Sequence, residues 1–407
     1  MRKHAVFLLT FCLLYTASGC AVQYSDLSEY TAAASAAYSS AYTAYTTSSK
    51  RTTVLSTHDT QTTTLPATTA APSHMDDTPA RWCYALLDED ERAVYDQMYA
   101  AAEAMEDTLT GLKLNRSAAS RVFDALRLDC PELFWLDGHS ETVTHSLDGA
   151  FLSLDFRFFY TFTPDELSSA RKAFEHAVDT LDIPDGSDYD KALAIHDLLI
   201  GHVTYRVREG DQSLYTALVE GEGVCRAYAA AAQYLLRREG IPCLLITGRA
   251  TDSDGVTGPH AWNLVYLDDD WYGMDVTWDD ADDGVPGYAY FLVTSGELER
   301  SREADIWPEP PVCTATEGSY FVREGALFNV YDEAVGAYIT RSVRENRPAV
   351  SLKFTSRQAL IDAKSALLDG QEVYTFLRDA GNHAIDSSCI AHSTDSRMLV
   401  LTLMFTY

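Results

Sequence analysis

The chain has 407 residues, 46% hydrophobic and 11% aromatic, which is enough apolar material for two or three domain-sized cores. This composition excludes a largely disordered protein. The formal net charge of -29 argues against partners that bind through their phosphates, because nucleic acids and anionic lipid surfaces would be repelled. We therefore expect no nucleic-acid partner, and we interpret the acidity as a well-solvated surface rather than a field that steers a cation or substrate.

The first residues have the pattern of an export signal. Arg2 and Lys3 precede an apolar run, 5–17, that is too short to span a bilayer comfortably. The run ends in Ala17-Ser18-Gly19-Cys20, which resembles a bacterial lipobox, in which the cysteine receives a diacylglyceryl group; an ordinary signal-peptidase site is the alternative. We expect a signal peptide over 1–19, lipidation at Cys20, and a membrane-anchored protein that faces outside the cytoplasm.

The segment that follows the signal has a different composition from the rest of the chain. Residues 20–80 are dominated by Ser, Thr, Ala and Tyr and contain few Leu, Ile or Val. Such a segment lacks the apolar surface that would offset its ordering entropy. We predict that it is a disordered stalk between the lipid anchor and a folded head.

Folded sequence is predicted to begin near Trp82 with an N-terminal α+β region over 81–162. Apolar periodicity predicts helices over 88–112 and 115–128, and the alternating, aromatic-rich segment 151–162 predicts a strand.

Two helix starts follow in the central region, 163–312. Thr163 is followed by proline and, three residues after Thr163, by a glutamate, and Ser187 has an aspartate at the same spacing. We expect helices to about residues 180 and 203. His196 and His202 lie on the second helix and are assigned no chemistry, because histidines in such positions usually pack or face solvent.

Cys225 has a local context that favours a reactive thiol. Gly221 and Gly223 precede it, an Ala-rich helical run, 229–239, follows, and Gly240 ends that run. A cysteine at a helix N-terminus is favoured as thiolate, and the free N–H groups there can stabilise an oxyanion. A buried structural cysteine is the alternative, so a catalytic role for Cys225 also requires a nearby base.

A predicted hairpin supplies that base. A strand starting at His260 and a return strand over 271–278 flank an acidic turn. If the turn is the two-residue Asp268-Asp269, Asp275 lies opposite Trp262 and on the same face as His260, at a diagonal of roughly 7 to 8 Å. A three-residue turn would place His260 and Asp275 on opposite faces.

Together these motifs resemble bacterial members of the transglutaminase-like superfamily. The matching segments, in this order, are Gly-Val-Cys-Arg-Ala-Tyr at 223–228, His-Ala-Trp-Asn at 260–263 and Met-Asp-Val-Thr-Trp-Asp-Asp at 274–280. The resemblance implies an α+β, papain-like fold with a Cys225–His260–Asp275 triad that forms a thioester from an amide, with no cofactor and no metal. Trp262 is a candidate wall of an acyl pocket, although an aromatic beside a catalytic strand is equally typical of a core.

The remaining sequence offers no other chemistry. Acidic runs at 268–270 and 279–283 fit solvated turns better than calcium ligands. Six cysteines follow Cys20 without CxxC spacing, so zinc has no support. Residues 313–407 predict a small α/β accessory domain, with strands over 326–331, 350–354 and 398–405, a helix over 356–368 and a short helix to residue 380.

The predicted function is an extracytoplasmic thiol acyltransferase or amidohydrolase whose partner is a peptide or protein substrate. The alternative is a cell-surface binding or assembly module that uses the same fold without turnover.

Overall fold

The computed structural model describes residues 81–207, 212–281, 285–381 and 390–405. The predicted signal peptide, Cys20 and the predicted stalk lie outside these ranges.

Within the described ranges, no helix combines the length and the apolar character needed to cross a membrane.

The N-terminal region packs three helices against a three-stranded antiparallel sheet of order β1-β3-β2. Its elements are α1 (Trp82–Leu86), α2 (Glu89–Glu103), β1 (Thr108–Leu112), α3 (Arg116–Asp129), β2 (Leu136–His145) and β3 (Phe151–Tyr160). The prediction of one helix over 88–112 is wrong beyond Glu103. The chain turns at Met105, which has a φ of 53°, and β1 then pairs with β3, so strand pairing overrides the local helical pattern.

The predicted helix starts of the central region are confirmed. Helix α4 (Pro164–Asp179) and helix α5 (Asp188–His202) each begin with a capping box, formed by Thr163 with Glu166 and by Ser187 with Asp190. A π-helical turn (Thr216–Glu220) and a two-stranded parallel ladder of β4 (Thr204–Tyr205) and β5 (Glu222–Gly223) then lead into helix α6 (Cys225–Arg238).

Helix α6 packs against a five-stranded antiparallel sheet of order β10-β6-β7-β8-β9. The strands are β6 (Cys243–Thr251), β7 (Thr257–Leu267), β8 (Asp270–Met274), β9 (Phe291–Val293) and β10 (Arg302–Ala304). Buried alanines let the helix lie close to the sheet, and Asn263 Nδ2 on β7 donates to Ala229 O on α6 at 2.9 Å.

Two predicted boundaries in this sheet are wrong. Strand β7 begins at Thr257 rather than at His260, because it pairs with the whole of β6, from Thr251 onward. The return strand β8 ends at Met274, and Val276–Asp279 forms a helical turn, α7, instead of extended chain.

The C-terminal region forms a four-stranded sheet of order β11-β12-β14-β13. Its elements, with two short helices that precede it, are α8 (Ser295–Leu298), α9 (Tyr320–Arg323), β11 (Leu327–Phe328), α10 (Glu333–Arg344), β12 (Ala349–Phe354), α11 (Arg357–Lys364), a π-helical turn (Ser365–Asp369), α12 (Glu372–Ala380), β13 (Ala391–Asp395) and β14 (Val400–Met404). The strand predicted over 326–331 is only two residues long, and α10 and β13 were not predicted. The α+β fold class is confirmed.

Candidate active site

Cys225 is the first residue of α6 and is buried, with 1% of its surface exposed. The preceding strand β5 can approach the helix because residue 223 is glycine: a Cβ at Gly223 would lie 2.6 Å from Ala227 Cβ. The Val224 carbonyl accepts from the amides of Ala227 and Tyr228 at 2.8 and 3.2 Å, and the apolar Val224 side chain makes no capping hydrogen bond. The positive end of the helix dipole is therefore directed at the Cys225 thiol.

The β7–β8 hairpin has the register that brings His260 and Asp275 together. Its turn consists of Asp268 and Asp269, both at positive φ as a type I′ turn requires, and Leu267 pairs with Asp270. The last pair of the ladder is Asn263 with Met274, which places Asp275 next to Trp262. The imidazole Nε2 of His260 lies 2.6 Å from Asp275 Oδ2, so the predicted same-face arrangement is confirmed.

The third candidate residue, Cys225, interacts with the same imidazole. Because Asp275 occupies Nε2, the ring nitrogen that remains for Cys225 is Nδ1. Burial alone would lower the pKa of His260, but the Asp275 carboxylate, followed by the charge and hydrogen bond of Cys225, raises that pKa to about 9. The imidazole is therefore protonated near neutral pH and places a positive charge beside the sulfur.

Asp275 is a buried carboxylate with donors on both oxygens. Its Oδ1 accepts from Trp278 N at 3.2 Å, which makes it the N-cap of α7, and its Oδ2 accepts from His260 and from Arg302 Nε at 2.9 Å. Burial opposes ionisation, but His260 and then Arg302 lower the pKa of Asp275 to about 2. Asp275 is therefore fully ionised and held in one orientation.

Arg302 is a contact residue of this site that sequence reasoning missed. It begins β10, 27 positions after Asp275, and no local motif marks it. Its guanidinium also contacts Asp275 through Nη2 and lies over the rings of Trp278 and Tyr290, 4.0 and 4.3 Å from their centroids. Its burial is visible only in the structure, so the sequence offered no signal for this contact.

Two tryptophans flank the imidazole. The Trp262 ring is stacked beside it, with centroids 6.1 Å apart and planes at 20°, and the Trp278 ring lies at 5.5 Å. Trp262 is only 4% exposed, so in this structure it supports His260 as part of the core. Its candidate role as a pocket wall stays a prediction.

His196, which was assigned no chemistry, lies in a separate buried cluster. His196 is fully buried, with Nδ1 2.9 Å from Asp197 Oδ1 and Nε2 3.3 Å from Asp279 Oδ2. The solvated-turn interpretation is wrong for Asp279, which is 3% exposed and accepts from the Tyr290 amide. His202 contacts the Leu218 carbonyl at 3.1 Å. This cluster joins α5 to α7 and so fixes the helical turn that Asp275 caps.

The other acidic run for which a solvated turn was predicted, 268–270, lies at the tip of the β7–β8 hairpin. Asp268 is exposed and pairs with Arg323. Among the described residues, no group of three or more His, Cys, Asp or Glu side chains is arranged to hold a metal ion.

Comparison with known proteins identifies the domain that carries this site. Residues 176–276, which include Cys225, His260 and Asp275, match the model of the transglutaminase-like superfamily. No curated protein matches the chain.

Solved structures give weak overall similarity. A crystal structure titled as a TGase is 13% identical, covers 34% of this chain and 50% of its own, and has a TM-score of 0.24. The periplasmic domain of TgpA from Pseudomonas aeruginosa, bound to ethylmercury, is 17% identical, covers 32% of this chain and 57% of its own, and has a TM-score of 0.20. This chain thus spans little more than half the length of these structures, and scores of this size carry no argument about activity.

Proposed function

Since the chain contains a transglutaminase-like domain over 176–276, we propose that it is a thiol-dependent acyltransferase or amidohydrolase acting on peptide or protein amides. The observation that carries this proposal is the 2.6 Å contact of His260 with Asp275, with Cys225 beside the same imidazole at a helix N-terminus. Nucleophile, base and orienting carboxylate are thus adjacent in the order that acyl transfer requires.

The reaction follows from these positions. The Cys225 thiolate attacks the amide carbonyl, and the helix N-terminus stabilises the resulting oxyanion. His260 gives its proton to the leaving amine as the C–N bond breaks, which leaves a thioester on Cys225. Water or an incoming amine then attacks the thioester, His260 takes up the proton of that nucleophile, and the thiolate departs.

A binding module without turnover is the second candidate, and one observation favours it. Cys225 and His260 are 1% and 7% exposed, so little of the nucleophile or base is presented to a substrate in this conformation. The two functions differ in whether small electrophiles reach an activated sulfur.

We further propose, from the first eighty residues alone, that the protein is exported and anchored to a membrane by lipid on Cys20. On this proposal, residues 20–80 tether three folded parts, which are the N-terminal α+β region (81–162), the catalytic domain (163–312) and the accessory domain (313–407). Peptide or protein substrates would then be met outside the cytoplasm.

The test of the proposed function is the pH dependence of Cys225 alkylation by iodoacetamide in the full chain, with mass mapping of the modified thiol. The other described cysteines serve as internal controls: burial raises the pKa of Cys243 to about 12 and that of Cys313 to about 11, and it also raises the pKa values of Cys83 and Cys130 above the ordinary range. We expect Cys225 to be labelled well below pH 8, ahead of these four.

The variants His260→Ala and Cys225→Ala complete the design. Loss of the imidazolium should shift labelling of Cys225 towards the profile of an ordinary thiol, whose pKa is about 8.5. Slow labelling of wild type with an ordinary thiol profile, unchanged in His260→Ala, would instead support the binding module.

A further inference from the structure

Arg302 stands out because it brings a permanent positive charge into the buried centre of the site. Its side chain is 1% exposed, and it reaches the same oxygen of Asp275 that contacts His260. A guanidinium is always protonated in proteins, so the Asp275 charge is divided between two cations.

The guanidinium is fixed from several sides. Nε and Nη2 bond Asp275, and Nη1 donates to Ser301 Oγ at 2.7 Å. Its plane lies over the rings of Trp278 and Tyr290, which meet each other edge to face with centroids 5.3 Å apart. The position of Arg302 is therefore determined by packing as well as by charge.

One of these two rings, that of Tyr290, is itself held by a residue of the C-terminal region. The Tyr290 hydroxyl donates to Asp395 Oδ2 at 2.7 Å, and Asp395 Oδ1 accepts from the amides of Arg397 and Met398 at 2.8 and 2.7 Å. Burial raises the pKa of Tyr290 well above its usual value, which keeps the phenol protonated as a donor. The turn between β13 and β14 thus braces the aromatic surface on which Arg302 lies.

We propose that Arg302 is a positioning residue of the Cys225–His260–Asp275 site, where it shares the Asp275 carboxylate with His260 and limits how tightly the imidazole holds its proton. The proposal rests on the proposed function, because His260 must release a proton to the leaving amine and later recover it. With an unshared carboxylate the imidazolium would be a weaker acid, and transfer to the amine would be slower.

The charged and titratable groups around the imidazole are few enough for a clean test. Within the described ranges they are Cys225 on α6, Asp275 after β8, Arg302 on β10, and Asp279 on α7, whose charge interacts with that of Asp275 and which is itself paired with His196 on α5. Removing Arg302 leaves His260 as the one cationic partner of the Asp275 carboxylate among the described residues. The affinity of His260 for its proton should then rise.

The experiment is an NMR titration of the His260 imidazole in the full chain, assigned by its loss in His260→Ala. Wild type is compared with Arg302→Met and Arg302→Lys. Arg171→Met is the matched control, because Arg171 also pairs with a carboxylate, Glu103 at 3.0 Å, and lies over an aromatic ring, Trp135 at 4.1 Å, in a different part of the fold.

We expect Arg302→Met to raise the pKa of His260 by about one unit, a tenfold change in proton affinity, while Arg171→Met leaves it unchanged. Arg302→Lys keeps a charge but loses the two-donor contact, so its shift should be in the same direction and less than half as large. If Arg302→Met does not fold, the test is the Arg302→Lys variant, in which the pKa of His260 should rise by roughly 0.3 unit.

An unchanged or lowered pKa of His260 in the folded Arg302 variants would overturn the proposal. This readout does not depend on turnover. Failure of Cys225 to label as an activated thiol would refute the proposed function, whereas an unshifted titration would refute only the role of Arg302.

Discussion

Gly248 on β6 is the position at which one added methyl group should do most damage to the site. It pairs with His260 on one side and with Ala304 of β10 on the other. A Cβ at residue 248 would lie 2.8 Å from Ala304 Cα and 2.9 Å from the Trp262 ring, and it would also overlap the Glu303 carbonyl. Two of these three neighbours are backbone atoms, so relief requires β10, which carries Arg302, to move away from β6.

We expect Gly248→Ala to lower the free energy of unfolding by about 2 to 3 kcal/mol, the upper part of the range for overpacking a filled interior. Urea denaturation measures this from the midpoint at constant slope. The matched control is Gly201→Ala in the last turn of α5, where a Cβ meets nothing within 4 Å. That change should be neutral or stabilise by up to about 1 kcal/mol. A loss below about 0.5 kcal/mol in Gly248→Ala would refute the packing described between β6 and β10.

Three further outcomes follow from the site. Asp275→Asn should reduce acyl turnover by about three to four orders of magnitude, the cost of the equivalent change in a serine-protease triad, and steady-state kinetics that fall less than tenfold would contradict its orienting role. The pKa of His260 is raised to about 9, so the free energy of unfolding that its protonation contributes is fully present below about pH 6.5 and is lost as the pH rises through 9. Urea denaturation across this range should show a smaller loss in His260→Gln than in wild type. The remaining loss is expected from His196, whose pKa is raised to about 9 by Asp197 and Asp279, although burial acts in the opposite direction. Asp279→Ala leaves His196 buried with one partner fewer and should destabilise by about 3 kcal/mol, whereas a change near zero would show that the pair is dispensable.

The parts of the fold that sequence predicted are those specified by neighbouring residues. Capping boxes at Thr163 and Ser187 are complete within four positions, so they identified α4 and α5. The Asp268-Asp269 turn determines the hairpin register, because a two-residue turn allows only one pairing of the residues that flank it. That register brings His260 close to Asp275.

The parts that were missed depend on distant contacts. The sequence of β1 continues the helical pattern of the preceding residues. It is extended because it pairs with Phe156 and neighbouring residues of β3. Asp279 belongs to an acidic run typical of a turn, yet it is buried because His196, 83 positions earlier, faces it. Arg302 reaches Asp275 from the edge strand of the sheet, and no spacing rule links the two.

The reaction proposed for this site requires Cys225 to form a covalent acyl intermediate with help from His260. Mixing the full chain with p-nitrophenyl acetate, a small activated acyl donor, tests this without knowledge of the natural substrate. We expect a burst of p-nitrophenolate close to the enzyme concentration and a single acetyl group mapped to Cys225. Both should be absent in Cys225→Ala and strongly slowed in His260→Ala. Acetylation at another residue, or no burst from a folded wild-type chain, would contradict it.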